Sequence, residues 1–226
     1  MLTTVLIHAV YFYALGRAYA AGDLSLVYPV ARGLGVALVP LLAFLFLDER
    51  LSRVGALGIA LVVAGIAVMH AAVGVPARAT RPSERTSRVA GLAWAILTGL
   101  AIAAYSVIDK AGVTRVHPLG YISLMGVGIS LLLAPFVLRR RANLVREWRV
   151  NGRAIAVAST LNLTSYLLVL FAFRLSKAGY VVAARETSIV LSVLIGAVLL
   201  REGHLGPRLA GAAVVLGGVA CVAFAR

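Results

Sequence analysis

Two arginines, Arg32 and Arg185, each stand about eight residues inside an apolar stretch long enough to cross a bilayer. A guanidinium near the centre of such a stretch costs roughly 2.5 to 3.5 kcal/mol to insert, so it must face protein or water rather than lipid. Its planar fork of donors matches the oxygens of a carboxylate or phosphate. Two of them around one cavity therefore make a site for an anionic group. Glu186 follows Arg185 directly, and as the next residue on a helix it points away from that arginine and can reach Arg32 or another helix. Two arginines and one glutamate leave one positive charge over, to be met by a substrate, by Asp109 or by carbonyls of a broken helix. Pro29 removes a backbone donor close to Arg32, which predicts a kink beside the charge. The competing reading is that the arginines only brace helices through buried ion pairs.

Other polar residues recur at helical spacing in apolar surroundings: Thr98, Tyr105 and Asp109; Ser159, Asn162 and Tyr166; Arg185, Ser188 and Ser192. Each stripe turns a wet face inward, although any one such hydroxyl or amide can simply bond across helices. The predicted substrate-contact set is Arg32, Arg185, Glu186, Tyr28, Tyr105, Asn162 and Tyr166. Pro29, Asp109, Glu49 and Glu202 are predicted to gate or anchor, the two glutamates at matching span ends. The four histidines (His8, His70, His117, His204) lack metal-ligand spacing, and Cys221 is the single cysteine. No Walker lysine, His-Glu-x-x-His or Gly-x-Ser-x-Gly is present. These absences predict no metal, no cofactor and no catalytic residues, hence not an enzyme.

The elements that must hold these residues are membrane helices. Of the 226 residues 62% are hydrophobic and 13% charged, with a mean hydropathy of +0.98, which excludes a soluble globule. Eight spans are predicted, at 2–21, 24–47, 54–73, 89–109, 118–138, 154–175, 178–200 and 205–225. The first has a signal-peptidase-like Ala-Tyr-Ala at its end but no basic residues ahead of it, and reads as a retained helix. The net charge of +14 lies mostly in short loops, where arginine sets topology and meets anionic head groups. The partners predicted are thus the lipid bilayer and a small molecule, not nucleic acid. The basic, proline-containing segment 76–88 reads as a linker, and 139–153 as a loop able to form a short interfacial helix carrying Trp148.

An internal repeat organises the chain. A shift of 153 positions lays Arg32 on Arg185, Glu49 on Glu202, Gly58 on Gly211 and Gly65 on Gly218, and 11 of the 40 positions from Tyr28 to Ala67 are identical. The second copy holds five spans and the first three, so residues 1–75 read as a partial first repeat and 89–226 as a full second one. A symmetric molecule would carry two more helices ahead of Met1, and the chain is expected to be N-terminally short. Five-helix units have odd parity, so tandem copies enter the membrane from opposite sides, as in transporters. Lys and Arg number 13 on the loop face with the two long basic segments and 7 on the other, which would put both termini outside. The glycines after Glu49 and Glu202 allow tight packing, including a possible homodimer.

Two segments, Leu-Asp-Glu-Arg-Leu (47–51) and Leu-Arg-Glu-Gly (200–203), each precede a helix with Gly58 to Gly65 or Gly211 to Gly218 spacing. They resemble the EamA domains of the drug/metabolite transporter superfamily, over the whole chain, as spans three to ten of a ten-helix protein. Residues 22–33 (Gly-Asp-Leu-Ser-Leu-Val-Tyr-Pro-Val-Ala-Arg-Gly) and 108–113 (Ile-Asp-Lys-Ala-Gly-Val) resemble a bacterial subgroup linked with phosphonate utilisation. The resemblance implies an all-α polytopic bundle in the bacterial inner membrane. It also implies secondary transport of a small polar or anionic metabolite, by alternating access around a central cavity. The chain departs from the family in its missing first two helices and in the charge tally, since the family places both termini in the cytoplasm. The rival functions are a flippase for a phosphate-bearing lipid and a truncated membrane protein that does not transport.

Overall fold

The computed structural model describes residues 1–21, 24–71, 82–139, 141–188, 190–191 and 205–225. Every regular element among them is an α-helix: α1 (Leu2–Ala21), α2 (Leu24–Leu47), α3 (Arg53–Ala71), α4 (Pro82–Val113), α5 (Pro118–Leu138), α6 (Arg141–Leu175), α7 (Ala178–Arg185) and α8 (Leu205–Ala223). The protein is an all-helical membrane protein. Stretches 30–47 in α2 and 89–113 in α4, with the whole of α5 and α6, are long and apolar enough to cross a bilayer, and α3 and α8 hold shorter apolar runs. At 1.5 Å per residue, the 24 residues of α2 reach about 36 Å, more than a hydrocarbon core of about 30 Å.

The ends of α1, α2 and α5 fall where hydropathy predicts them. The His117 side chain accepts from the Leu119 N–H ahead of α5, and Pro118 occupies its first turn, where a missing donor costs nothing. Two of the predicted loops are helical over 82–88 and 141–153. α4 begins at Pro82, inside the predicted linker, and α6 begins at Arg141, so that the predicted interfacial helix is the first part of one 35-residue helix. Arg141, Arg146, Trp148, Arg149 and Arg153 are all exposed along it. α1 is diluted by Thr4, His8, Arg17 and three tyrosines, and α7 stops after eight residues.

The chain forms two compact units, one of Met1–Ala9 with Ile108–Ser176 and one of Val10–Val107 with Lys177–Arg226. In the second unit, small side chains bring backbones together. Ala18 of α1, Ala31 of α2 and Ala95 of α4 share a buried cluster with Val30 and Trp94 against it, which fixes α2 one residue ahead of Arg32. α3 packs on α8 through two glycine crossings. A Cβ on Gly58 would lie 2.7 Å from the Gly218 carbonyl oxygen, one on Gly218 2.6 Å from that of Gly58, and one on Gly65 2.7 Å from that of Gly211. Numbering rises along α3 as it falls along α8, so the two helices run antiparallel. Under the 153-residue shift Gly58 corresponds to Gly211 and Gly65 to Gly218, so each position meets the counterpart of the other. That is the contact pattern of a two-fold axis. These four glycines, considered for a dimer on sequence grounds, are occupied within the chain.

Gly65→Ala is expected to cost about 1 to 3 kcal/mol, because the added methyl meets backbone that cannot rotate away. Gly217→Ala, where nothing lies within 4 Å, should be neutral or stabilising by up to about 1 kcal/mol through helix propensity. Thermal unfolding of the two variants in detergent measures the difference.

Candidate functional site

α7 breaks at the predicted charge. Glu186 is its C-cap, and its N–H turns back to the Ala183 and Ala184 carbonyls; helical geometry resumes at Thr187. Carbonyls released by such a break need donors. The Thr187 hydroxyl donates to the Ala184 oxygen at 2.8 Å, and the Ser188 hydroxyl to that of Arg185 at 3.0 Å. Side chains that follow the break thus stabilise it. α2, by contrast, is helical through Pro29.

The break presents Glu186 to Arg32. Arg32 Nη2 lies 2.8 Å from Glu186 Oε1, and Arg32 Nε donates to Oε2 at 3.3 Å. Two parallel bonds make this a bidentate pair. The Glu186 side chain is 2% exposed and that of Arg32 19%, so the pair is largely removed from solvent. Arg185 also attracts the Glu186 carboxylate. The Tyr11 hydroxyl lies within electrostatic reach of Arg32, Arg185 and Tyr105, and the Tyr11 and Tyr105 rings meet edge to face at 5.5 Å. Tyr11, Tyr105, Arg32, Arg185 and Glu186 form one polar group in the second unit.

α7 is held at its other end by Glu49. Asp48 adopts φ 51°, a left-handed turn that aspartate tolerates better than most residues. Just beyond it, Glu49 Oε2 accepts from the Ala178 N–H at 2.7 Å, and Lys177 Nζ donates to the Arg50 carbonyl at 2.7 Å. A carboxylate at a helix N-terminus satisfies an orphan donor and complements the dipole. Tyr180 adds to the same joint: its hydroxyl accepts from the Ser52 N–H at 3.1 Å.

A second polar group lies in the first unit. Asp109, on α4, is fully buried. Its Oδ1 accepts from the hydroxyls of Thr4 on α1 and Tyr121 on α5, the latter at 2.7 Å, and its Oδ2 accepts from the Tyr166 hydroxyl on α6. His8 Nε2 lies 3.7 Å from Oδ2. Lys110, one residue on, donates instead to the carbonyls of Phe173 and Ser176 where α6 ends.

The predicted contact residues therefore divide. Arg32, Arg185, Glu186 and Tyr105 come together in the second unit, whereas Tyr166 bonds Asp109 in the first. Asn162 and Ser159 are exposed, and Thr98 bonds its own helix at the Trp94 carbonyl. The side chains of Tyr28 and Pro29 lie outside the described residues, as do Ser192 and Glu202. Sequence reasoning missed Tyr11, Thr4, His8 and Tyr121. Positions 4, 8 and 11 stand at i, i+4 and i+7, a polar stripe of the kind that singled out α4 and α6.

Charged helices, a broken span and antiparallel repeat-related helices are features of membrane transporters. Residues 89–224, more than half of the chain, match the model of the EamA-like transporter family. The chain belongs to that family. Residues 1–62 additionally match the model of the Small Multidrug Resistance protein, and no curated protein matches significantly. As an EamA-like transporter it is a multi-pass membrane protein of the drug/metabolite transporter superfamily.

Proposed function

We propose that this EamA-like protein is a secondary transporter of a small polar or anionic metabolite in a bacterial inner membrane, working by alternating access. The observation that carries the reading is the Arg32–Glu186 pair at the break of α7, with Arg185, Tyr11 and Tyr105 beside it. A buried ion pair alone would brace the helices. A second arginine in the same group gives an anionic substrate a second guanidinium to bind. Arg32 and Arg185 are its contacts, with Tyr11 and Tyr105 supplying hydroxyls. The two repeats, 1–75 and 89–226, are the halves that exchange access, and the antiparallel crossing of α3 and α8 supports their inversion.

Uptake by proteoliposomes tests the proposal. Labelled alanine, succinate, methylphosphonate and tetraphenylphosphonium are offered under imposed gradients. Accumulation of one or more of the first three is expected; accumulation of the lipophilic cation alone, or lipid scrambling without solute uptake, would count against it.

A further inference from the structure

Residues 141–153, the first part of α6, carry charge that neither polar group uses: Arg141, Arg146, Arg149 and Arg153 against one carboxylate, Glu147. All five side chains are exposed. A helix turns about 100° per residue, so Arg146, Arg149 and Arg153, at i, i+3 and i+7, fall within about 60° of one another. Glu147 lies about 100° or more from each of the three. It accepts instead from Asn151 Nδ2 at 2.9 Å, and among the described residues no carboxylate is within salt-bridge distance of the stripe. Three guanidiniums thus line one face without a carboxylate beside them.

Hydropathy fixes the depth of this stripe. Residues 154–173 carry no charged side chain and are bracketed by Arg153 and Arg174; at 1.5 Å per residue they reach about 30 Å, one hydrocarbon core. α6 is one helix from Arg141 to Leu175, so Arg153 stands at the hydrocarbon boundary, Arg149 about 6 Å beyond it and Arg146 about 10 Å beyond. The head-group layer on each side is about 5 to 8 Å deep. The stripe therefore climbs through the level of the lipid phosphates, and because Cα–Cβ bonds tilt toward a helix N-terminus, Arg153 leans out of the hydrocarbon. Trp148, 58% exposed, is in the same stretch, and an exposed indole suits that interface. An RNA or an acidic protein needs a face held clear of the membrane, whereas this one lies among phosphates.

We propose that Arg146, Arg149 and Arg153 form a binding site for the phosphate groups of anionic phospholipids, such as phosphatidylglycerol. The guanidinium N–H groups donate to phosphate oxygens, and a lipid with no net charge is held less well because its own cation competes for them. The site is separate from the Arg32–Glu186 group and stands whatever solute the protein moves.

The test titrates the full chain, purified in dodecyl maltoside, with dioleoylphosphatidylglycerol and counts retained lipids by native mass spectrometry. Each arginine is expected to contribute about fivefold in affinity, so Arg146→Gln/Arg149→Gln/Arg153→Gln should bind roughly 100-fold more weakly than the parent protein. Glutamine is nearly as good a helix former as arginine, and circular dichroism checks that the variant is folded; Arg149→Gln alone, expected to lose about fivefold, serves if it is not. The triple lysine variant keeps the charge and should stay within about fivefold of the parent. Arg115→Gln/Arg174→Gln removes two exposed charges at the other end of the same span, beyond the screening length, and should change affinity by less than about threefold. Equal retention by the parent protein and the triple glutamine variant overturns the proposal, as does equal retention of dioleoylphosphatidylcholine. Displacement of the lipid by glycerol 3-phosphate, or by a uridine oligonucleotide whose own binding needs the three arginines, would also overturn it, assigning the face to a free phosphate or to nucleic acid.

Discussion

Arg185→Ala is expected to abolish uptake while leaving the protein folded. Arg185 is half-buried at the end of α7, and its removal leaves the Arg32–Glu186 pair intact and neutral. Alanine is at least as good a helix former at that position. Stability should therefore change by less than about 1 kcal/mol. Binding should not be spared, because losing one partner of a desolvated charge contact costs about 2 to 5 kcal/mol. That is roughly 30- to several thousand-fold at 1.4 kcal/mol per factor of ten. The contrast between uptake and thermal unfolding separates anion contact from bracing. Loss of folded protein on Arg185→Ala would support bracing instead.

Glu186→Ala should behave in the opposite way. It leaves the guanidiniums of Arg32 and Arg185 in one group without the carboxylate that both attract. Removing one member of a buried pair costs about 3 to 5 kcal/mol, whereas replacing both members with apolar residues is often neutral or better. Glu186→Ala is thus expected to give little folded protein on size exclusion. Arg32→Met/Glu186→Met should recover thermal stability without recovering uptake. A Glu186→Ala protein as stable as the parent would show that the pair contributes nothing to the fold.

The sequence alone located Arg32 and Glu186 because an ionisable residue in an apolar span must find an opposite charge, and the apolar stretches offer few. It located the ends of α2 and α5 because turn residues and caps interrupt the hydropathy there: Asp48 after α2, His117 and Pro118 ahead of α5. It missed the starts of α4 and α6, since hydropathy reports burial in lipid and not helicity. Residues 141–153 are a good helix of polar composition, and Pro82 is a favourable first residue. The meeting of Thr4 and His8 with Asp109, itself singled out by the sequence, was out of reach for another reason. Thr4 and Asp109 meet across 105 positions, and periodicity within one helix carries no information about its neighbour. His8 read as an isolated histidine because its partner lies on another helix. The glycine crossings of α3 and α8 were visible as spacing, but their pairing depends on the antiparallel direction.

The bond between charge and function is tested most directly by ligand-induced thermal shift, measured on the parent protein and on Arg185→Ala side by side. Methylphosphonate, succinate and alanine are the anionic and zwitterionic probes, with tetraphenylphosphonium as the cation. The account predicts a saturable rise in melting temperature of the parent protein with at least one of the first three, and no rise in Arg185→Ala. An equal shift in both proteins, or a shift with the cation alone, would contradict it.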